Sequence, residues 1–405
     1  MLDRYIINSE ALPDSGTNKP SVTRTGRFQA DLIALGYRTL NGLLRLCTYV
    51  LWPIRRPQSA QRILIYRIGN IGDITCALPA MHAVRRTYVN AQLTLLTSPG
   101  SAALPGAKDV LKGVDWIDHI ITYYPSDIAD RKGRWKLLKD LRQRRFDVWI
   151  NLSASAPNLN LLRELRDMLF ARLVGPRWAR GWTIDTISSW AQTQSTYLAF
   201  PSEVDRLLTT IERAGFNPKP VYFGLAPIPA EMNRIDQLLQ SYEHRGWVAI
   251  APGCKRSTNR WPGDRFAEVA RYVTSKGFGV LVLGGPGDAA LGDQIVCEAG
   301  ASSANLAGKL TLTETIEALR RCRLAVCVDS GIQHLASAVK TPTLSLFSFW
   351  QMRGKWYPYG ERNKVIQKWV PCHTCLIDEC PNGNVCMHDI GILDVIENLQ
   401  QQLTA

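Results

Sequence analysis

The chain has 405 residues, of which 46% are hydrophobic, and it carries a formal net charge of +13. This length allows two or three domains with large cores, and ten cysteines in a chain of this size exclude a small disulfide scaffold. The positive excess is +4 in residues 1–59, +8 in residues 60–226 and +1 in residues 227–405. The front of the chain is therefore expected to meet an acidic partner, such as phosphate groups, anionic lipid or nucleic acid.

The first 18 residues have neither a basic start nor an apolar block. We therefore expect no cleavable signal peptide and a reducing, cytosolic compartment. Six cysteines are scattered through apolar or helical stretches, where a buried thiol is the ordinary role. These six are Cys47, Cys76, Cys254, Cys297, Cys322 and Cys327.

Residues 1–59 predict a polar tail followed by an amphipathic helix. The segment from Leu32 to Trp52 is densely apolar except for one polar stripe at helical spacing. The stripe consists of Arg38, Asn41, Arg45 and Thr48. Two arginines at the centre of a bilayer would cost about 2.5–3.5 kcal/mol each, which disfavours a membrane-spanning helix. Two alternatives remain open, a helix that lies in the membrane surface and a helix that packs on the protein.

Residues 60–226 predict a first α/β domain, because short apolar runs alternate with helical segments. The strands are predicted at Ile63–Tyr66, Leu93–Thr97, Trp116–Thr122 and Val148–Leu152, and helices at Ile74–Arg86 and Trp135–Arg144. This alternation indicates a parallel, doubly wound sheet. Prolines between residues 218 and 229 mark a linker at the end of the domain.

Residues 227–405 repeat the alternation and predict a second α/β domain. Its strands are predicted at Val248–Ala251, at Val280–Leu283, in the run that ends at Asp329, and at Thr343–Phe347. Helices are predicted over Arg265–Lys276, from Ala289, after Thr311 and after Ser330. Thr311 and Glu314 have the spacing of a capping box. The predicted fold is α/β, with two Rossmann-like, doubly wound domains that face a central cleft.

The turn after the first strand reads Arg67-Ile-Gly-Asn-Ile-Gly-Asp73, with glycines at Gly69 and Gly72. It is neither the dinucleotide-binding fingerprint nor a P-loop. Two glycines permit a tight turn and the close approach of a ligand to the backbone. Asp73 has two interpretations, an acid that caps the next helix and a base that takes a proton from a hydroxyl group.

Three strand ends in the second domain predict a site for a nucleotide sugar. The loop 251–262 combines glycine, hydroxyl groups and three cations, which suits a diphosphate, although a solvated basic loop is the alternative. The turn 283–288 is glycine-rich, and the amides that follow Asp329 start a helix and suit an anion. The candidate donor-binding residues are Gly253, Lys255, Ser257, Thr258, Arg260, Gly285, Asp288, Asp329, Ser330, Gly331 and His334. For His334 a structural hydrogen bond is an equal alternative.

Five segments together resemble the heptosyltransferases of lipopolysaccharide synthesis, glycosyltransferase family 9, in order and spacing. The segments are Ile63–Ala80, Pro252–Phe266, Leu283–Asp288, Leu306–Lys309 and Asp329–Ala336. The resemblance implies a GT-B fold with an N-terminal acceptor domain and a C-terminal ADP-heptose domain. It also implies inversion at the sugar carbon without a catalytic metal or another cofactor.

The same resemblance implies roles for single residues. Asp73 matches the general base, Asp329 matches a contact to the donor sugar, and Ser330 and Gly331 match amides near the donor phosphates. The family commonly has a lysine where this chain has Asn259, so the missing charge is expected from Lys255 or Arg260.

The basic block 131–145 predicts the acceptor side of the reaction. An anionic glycolipid such as a lipopolysaccharide core suits this block, whereas a solvated helix face is the alternative and no nucleic-acid motif accompanies it. The candidate acceptor-binding residues are Gly69, Gly72, Arg134 and Lys136. The expected partners are an ADP-sugar, this glycolipid and a membrane surface, with the protein on the cytoplasmic side of the inner membrane.

Four cysteines near the end of the chain have the spacing of metal ligands. They are Cys372, Cys375, Cys380 and Cys386. Similar cysteines in the resembled family make a structural zinc or iron one interpretation. Reduced thiols or a disulfide are the other.

Two further functions remain open from the sequence. A nucleotide-sugar epimerase can share the two-domain architecture, but it needs no lipid acceptor and gives no reason for a basic front half. A non-catalytic, membrane-associated sugar-binding protein is the third possibility.

Overall fold

The computed structural model describes residues 24–153, 161–184, 201–240, 245–351, 353–370, 372 and 375–404. Within the first helix, the side chains of residues 24–31, 33, 34, 37 and 38 lie outside this description. The described residues fall into two compact units. One lies within Ser21–Tyr197 and Glu203–Gly224, and the other within Leu198–Ser202 and Leu225–Ala405.

The first unit contains six helices and five strands among its described residues. They are α1 (Arg24–Leu51), β1 (Arg62–Tyr66), α2 (Ile71–Thr87), β2 (Gln92–Thr97), α3 (Ala107–Val110), β3 (His119–Thr122), α4 (Arg131–Gln143), β4 (Val148–Asn151), α5 (Leu161–Val174), β5 (Trp178–Arg180) and α6 (Glu203–Arg213). The strand order is β3-β2-β1-β4-β5, and every pairing is parallel. Strand β1 is central, and Ile63 lies opposite both Leu93 of β2 and Val148 of β4.

The second unit contains seven helices and six strands among its described residues. They are α7 (Pro229–Leu239), β6 (Trp247–Ala251), α8 (Gly263–Ser275), β7 (Gly279–Val282), α9 (Ala289–Ala299), β8 (Ser303–Asn305), α10 (Leu312–Arg320), β9 (Cys322–Val328), α11 (Gly331–Ala338), β10 (Thr343–Leu346), β11 (Lys364–Ile366), α12 (Val385–His388) and α13 (Ile392–Thr404). The order β11-β10-β9-β6-β7-β8 is again wholly parallel. The carboxyl ends of all strands in such a sheet lie along one edge, where ligands of open α/β folds bind.

The predicted helices and strands are confirmed, with small changes at their ends. The strand predicted from Trp116 begins at His119. Helix α10 has the predicted capping box, since Thr311 accepts from the Glu314 amide and Glu314 accepts from the Thr311 amide. The central strands β1 and β6 are buried apolar runs, as is typical of parallel sheets with helices on both faces.

The prediction that all six scattered cysteines are buried is wrong for three of them. Cys297 is exposed, and Cys47 and Cys254 are only half-buried. Cys297 lies on α9, a helix with its buried residues on one side only, and a helical position can face water even in an apolar stretch.

Helix α1 packs on the first unit through part of its predicted polar stripe. The Asn41 side chain donates to the Ile184 carbonyl (2.6 Å) and accepts from the Ile184 amide (2.9 Å). Thr48, about two helical turns after Asn41, is also buried. Trp52 stacks on Trp182 with ring centroids 5.4 Å apart. The side chain of Arg38 lies outside the described residues. No helix that the structure describes is long and apolar enough to cross a membrane.

Candidate active site

The β1–α2 turn holds Asp73 at the carboxyl end of the central strand of the first sheet. Asp73 lies in the first turn of α2, and its Oδ2 accepts from the Asn70 amide (3.1 Å). Gly69 adopts φ +138°, and a Cβ there would lie 2.3 Å from the Asp73 side chain. Gly72 follows in the first turn of the helix. Glycine is therefore required at position 69 both by the backbone and by the carboxylate that sits on it.

A buried arginine lies beneath Asp73. Arg67 donates to the Asp73 carbonyl (3.0 Å) and to the Leu152 carbonyl (2.7 Å), and its Nη2 lies 3.4 Å from Asp73 Oδ1. Its third partner is the fully buried Glu203 (2.9 Å), which also accepts from Arg206 (2.7 Å). Arg67 therefore holds the backbone of Asp73 and presents a positive charge to its carboxylate. The Asp73 side chain stays 25% exposed, so it is open to a reactant.

The sequence did not single out Arg67, Glu203 or Arg206. An arginine placed directly after a buried strand and before a glycine turn was the available signal for Arg67. No local sequence pattern identifies Glu203 as a partner of Arg67, because it lies on α6, 136 residues after Arg67. Burial next to Glu203 also raises the pKa of the Cys76 thiol well above its usual range, so that side chain is neutral.

The predicted acceptor cations lie on α4. Arg134 donates to the carbonyls of Ile128 (2.8 Å) and Ala129 (3.0 Å), so its guanidinium fastens the start of its own helix. Lys136 is exposed. The structure thus brings Gly69, Gly72 and Asp73 into one turn, and it places Arg134 and Lys136 on a separate basic helix.

Three strand ends of the second sheet converge around Gly253 and Asp288. Strands β9, β6 and β7 are neighbours, so the loops after them share one edge. A Cβ on Gly253 would lie 2.1 Å from the Asp288 carboxylate, and a Cβ on Gly284 would lie 2.6 Å from it. Asp288 also accepts from the amide of Gly285 (2.8 Å), which fixes the glycine turn after β7. The glycines therefore make room for a carboxylate between the loops after β6 and β7.

Asp329 is held by two side-chain amides. Its Oδ2 accepts from Asn259 (3.2 Å) and its Oδ1 accepts from Gln333 (3.1 Å). The buried Asn259 in turn accepts from the Ser348 hydroxyl (2.6 Å). The position where the resembled family commonly has lysine is thus a neutral tether in this chain, which leaves the carboxylate oriented and without a cation from that position.

Three charged side chains lie around the Cys254 thiol. Burial raises the pKa of the Cys254 thiol to about 12; nearby Arg260 lowers it, and Asp329 and Asp288 raise it further. Arg260, Asp329 and Asp288 therefore each lie within electrostatic range of Cys254. Lys255 and Arg260 are exposed on the same loop, where both are available to an anion.

The α11 start offers further ligand groups. Gly331 is the first residue of this helix, and the Ser330 hydroxyl is buried with no hydrogen-bond partner among the residues that the structure describes. A buried hydroxyl next to free helix amides suits an anionic or sugar oxygen. His334 is buried in the same helix and contacts the Trp356 ring edge-on at 6.2 Å.

Ser257 and Thr258 lie in a short 3₁₀ turn after β6. The Ser257 hydroxyl donates to the Asp378 carbonyl (3.0 Å), and the Ser257 carbonyl accepts from Asn384 (2.8 Å). Thr258 is buried, and within the described chain its hydroxyl has no hydrogen-bond partner. Ser257 thus fastens the donor loop to the segment that carries the four clustered cysteines.

The cluster consists of half-buried free thiols. Burial raises the pKa of Cys375 and of Cys386, and the thiols around them raise it further, so the cysteines lie near one another. However, no three Cys, His, Asp or Glu side chains in the described parts of the chain are placed to hold a metal ion. In this arrangement the thiols do not form a ligand set.

The two parallel α/β units, each with candidate ligand-binding groups at the carboxyl edge of its sheet, have the GT-B fold. A family model described as glycosyltransferase family 9 (heptosyltransferase) matches residues 134–386, and the chain belongs to this family.

Three comparisons with individual proteins agree. The chain is 25% identical to lipopolysaccharide heptosyltransferase 1 of Pseudomonas aeruginosa over 331 residues, which cover 79% of this chain and 87% of that protein. It is 27% identical to lipopolysaccharide heptosyltransferase 3 of Escherichia coli K12 over 319 residues, with 74% and 85% covered. The solved structure of E. coli ADP-heptose lps heptosyltransferase II matches with a TM-score of 0.60 and 19% identity, covering 85% of this chain and 99% of that one.

Proposed function

We propose that the protein transfers a heptose from ADP-heptose to a lipopolysaccharide core acceptor, with inversion at the anomeric carbon. The names of its relatives suggest the substrates. The observation that carries the chemistry is Asp73, a partly exposed carboxylate fixed by the Asn70 amide above the buried Arg67.

In the proposed reaction, Asp73 takes the proton of an acceptor hydroxyl as its oxygen attacks the anomeric carbon. The new carbon–oxygen bond forms on the face opposite the phosphate, the old bond breaks, and ADP leaves with the electron pair. Inversion follows from this single displacement. The fixed position of Asp73 lowers the barrier because the base needs no reorientation when the substrate arrives.

The leaving diphosphate would be met by Lys255, Arg260 and the amides at the start of α11. Preorganised charges and amides stabilise negative charge that develops in the transition state. Asp329, oriented by Asn259 and Gln333, would accept hydrogen bonds from the donor sugar. We expect transfer to proceed in EDTA, because these groups take the role that a divalent cation has in other transferases.

The acceptor would be an anionic glycolipid, and the excess charge of residues 60–226 supports this choice. An enzyme with such an acceptor works at the cytoplasmic face of the inner membrane as a peripheral protein. A structural zinc or iron at the clustered cysteines is a separate proposal, which requires the thiols to rearrange into a ligand set that the described residues do not form. Metal analysis of protein purified without chelator tests it: about one ion per chain supports it, and a folded, metal-free preparation contradicts it.

Two measurements test the proposed substrates. A screen of nucleotide sugars for thermal stabilisation should single out ADP-heptose, since a ligand that binds the folded state raises the melting temperature. Transfer onto heptose-deficient lipopolysaccharide, followed by NMR of the new linkage, should show inverted anomeric configuration. Stabilisation by another nucleotide sugar alone, or retained configuration, would contradict the proposal.

A further inference from the structure

Helix α5 exposes only leucine and arginine. Its exposed residues are Leu162, Leu165, Arg166, Leu169, Arg172 and Leu173. The four leucines are between 38% and 79% exposed, and they recur at helical spacing along one face. The two acidic residues of the helix, Glu164 and Asp167, are buried. The exposed residues of α5 are therefore apolar or cationic. The Arg166 guanidinium pairs with the Asp167 carboxylate (2.9 Å), so Arg172 is the main source of positive charge on this face.

Helix α1 has the same composition on its outer face. Beyond residue 40 its exposed residues are Gly42, Leu43, Arg45, Leu46, Tyr49 and Val50, and Ile54 follows just after the helix. Residues 32–60 contain no aspartate or glutamate. The polar residues Asn41 and Thr48 face the protein instead. The apolar side of the amphipathic helix therefore faces solvent.

The two helices are neighbours. They contact one another, and Leu44 of α1 shares one core with Met168, Ala171 and Val174 of α5. Because both helices bury their inner faces in this core, their outer faces lie on the same side of the unit. Helix α4 also contacts α5, and it adds the exposed Trp135 among lysines and arginines. We call the exposed apolar residues of α1 and α5, with Arg45, Arg166 and Arg172, the α1/α5 surface.

The composition of the α1/α5 surface favours a bilayer over a second copy of the chain. Soluble monomers rarely expose contiguous apolar patches of this kind. A two-fold dimer would bury the arginines of both copies in one interface, and the exposed residues of this surface include no aspartate or glutamate to pair with them. Anionic lipid headgroups instead complement the arginines, while leucine, valine and tyrosine side chains enter the boundary with the acyl chains.

We propose that the α1/α5 surface docks the protein on an anionic lipid bilayer. The proposal rests on the proposed function, because it places the enzyme on the membrane that holds the glycolipid acceptor. Its evidence is separate, because the exposed leucines and arginines lie outside the β1–α2 turn and the donor loops.

Cosedimentation of the full chain with vesicles tests this surface. Wild-type protein should bind vesicles of phosphatidylglycerol and phosphatidylcholine and should bind pure phosphatidylcholine more weakly. Leu165→Glu combined with Leu169→Glu should weaken binding about tenfold or more, because two inserted leucines are lost and two negative charges are added. Leu393→Glu is the matched control, since Leu393 is 73% exposed on α13 in the other unit, and it should bind like wild type.

Replacement of one arginine measures the electrostatic contribution to vesicle binding. Arg172→Gln should weaken binding to anionic vesicles about fivefold and leave binding to neutral vesicles unchanged. Melting temperatures within a degree or two of wild type would show that the variants fold, as expected for exposed positions.

Three results would overturn the proposal. Wild-type protein that stays in the supernatant with anionic vesicles is the first, and a double variant that binds like wild type is the second. The third is a wild-type dimer, seen by sedimentation velocity without vesicles, that the double variant disperses. Transfer to a water-soluble, delipidated core oligosaccharide should be the same in all these variants, so a failure of docking stays distinct from a failure of the proposed chemistry.

Discussion

Asp73 caps α2 with one carboxylate oxygen and still has a quarter of its side chain exposed. The two interpretations of this residue from sequence, cap and base, are therefore compatible in one geometry. The Asn70 amide and the buried Arg67 fix the direction of its carboxylate. Asp73 can therefore act as a base while one of its oxygens caps the helix.

Asn259 gives the first prediction at this scale. Asn259→Ala should reduce donor affinity about tenfold, because Asp329 loses one of the amides that orient it. It should also lower the free energy of unfolding by about 1–3 kcal/mol, since the buried Ser348 hydroxyl loses its acceptor. Isothermal titration with the ADP-sugar and urea unfolding measure the two effects.

Asn363→Ala is a suitable control, because Asn363 accepts from Thr343 at the amino end of β10, away from the ligand edge. It should cost stability and leave donor affinity unchanged. Equal affinity losses in both variants would remove Asn259 from the donor site.

The buried thiols predict how stability depends on pH. Burial raises the pKa of Cys322 to about 12 from an ordinary value near 9. Above pH 9 the unfolded chain loses this proton while the folded chain keeps it, so stability falls as pH rises from 9 towards 12. Cys322→Ala should flatten this decline by up to about 1.4 kcal/mol per pH unit. Urea unfolding at several alkaline pH values measures it.

Cys297→Ala provides the comparison, because Cys297 is exposed. It should leave the slope of stability against pH unchanged. A Cys322→Ala variant with the wild-type slope would show that this thiol does not contribute.

At the scale of elements, the β1–α2 turn is built so that Gly69 carries the Asp73 carboxylate. Gly69→Ala should lower kcat about tenfold or more, since the new methyl group would occupy the place of the Asp73 side chain. The affinity for the ADP-sugar should change little. Steady-state kinetics and donor titration check these two expectations.

Gly100→Ala matches the backbone cost of this change. Gly100 also has a positive φ (+86°), but no atom lies within 4 Å of a Cβ built there. Gly69→Ala should lose more stability than Gly100→Ala, because its Cβ would also overlap the Asp73 side chain, and only Gly69→Ala should lose activity. Parallel losses of activity would mean that backbone strain, and not displacement of Asp73, is the cause.

Elements were predictable from sequence where local pattern decides them. Apolar runs such as Ile63–Tyr66 gave the strands, and the Thr311 capping box gave the start of α10. The orientation of α1 was not predictable, because Asn41 turns inward to bond the Ile184 backbone 143 residues away. The network under Asp73 depends on Glu203 in the same way. Such long-range contacts leave no local signal.

At the scale of the molecule, charge is concentrated in the part proposed to bind the acceptor. Residues 60–226 carry an excess of +8, whereas residues 227–405 carry +1. KM for the anionic acceptor should rise about threefold or more from about 50 to about 200 mM NaCl, because salt screens exposed charges. KM for the ADP-sugar should rise less. Initial rates with each substrate varied in turn give both KM values. Equal salt dependence of the two KM values would contradict this division of roles.

The central claim is that Asp73 deprotonates the acceptor. Asp109 supplies a control with the same cap geometry, since it accepts from the Gly106 amide (2.8 Å) at the start of α3. Each Asp→Asn change should cost about 0.5–2 kcal/mol of stability. The decisive measurement is the single-turnover rate of sugar transfer together with ADP-sugar affinity in Asp73→Asn and Asp109→Asn. We predict a rate about 10²- to 10⁴-fold lower for Asp73→Asn alone, with donor affinity intact. A transfer rate in Asp73→Asn equal to that in Asp109→Asn would contradict the account.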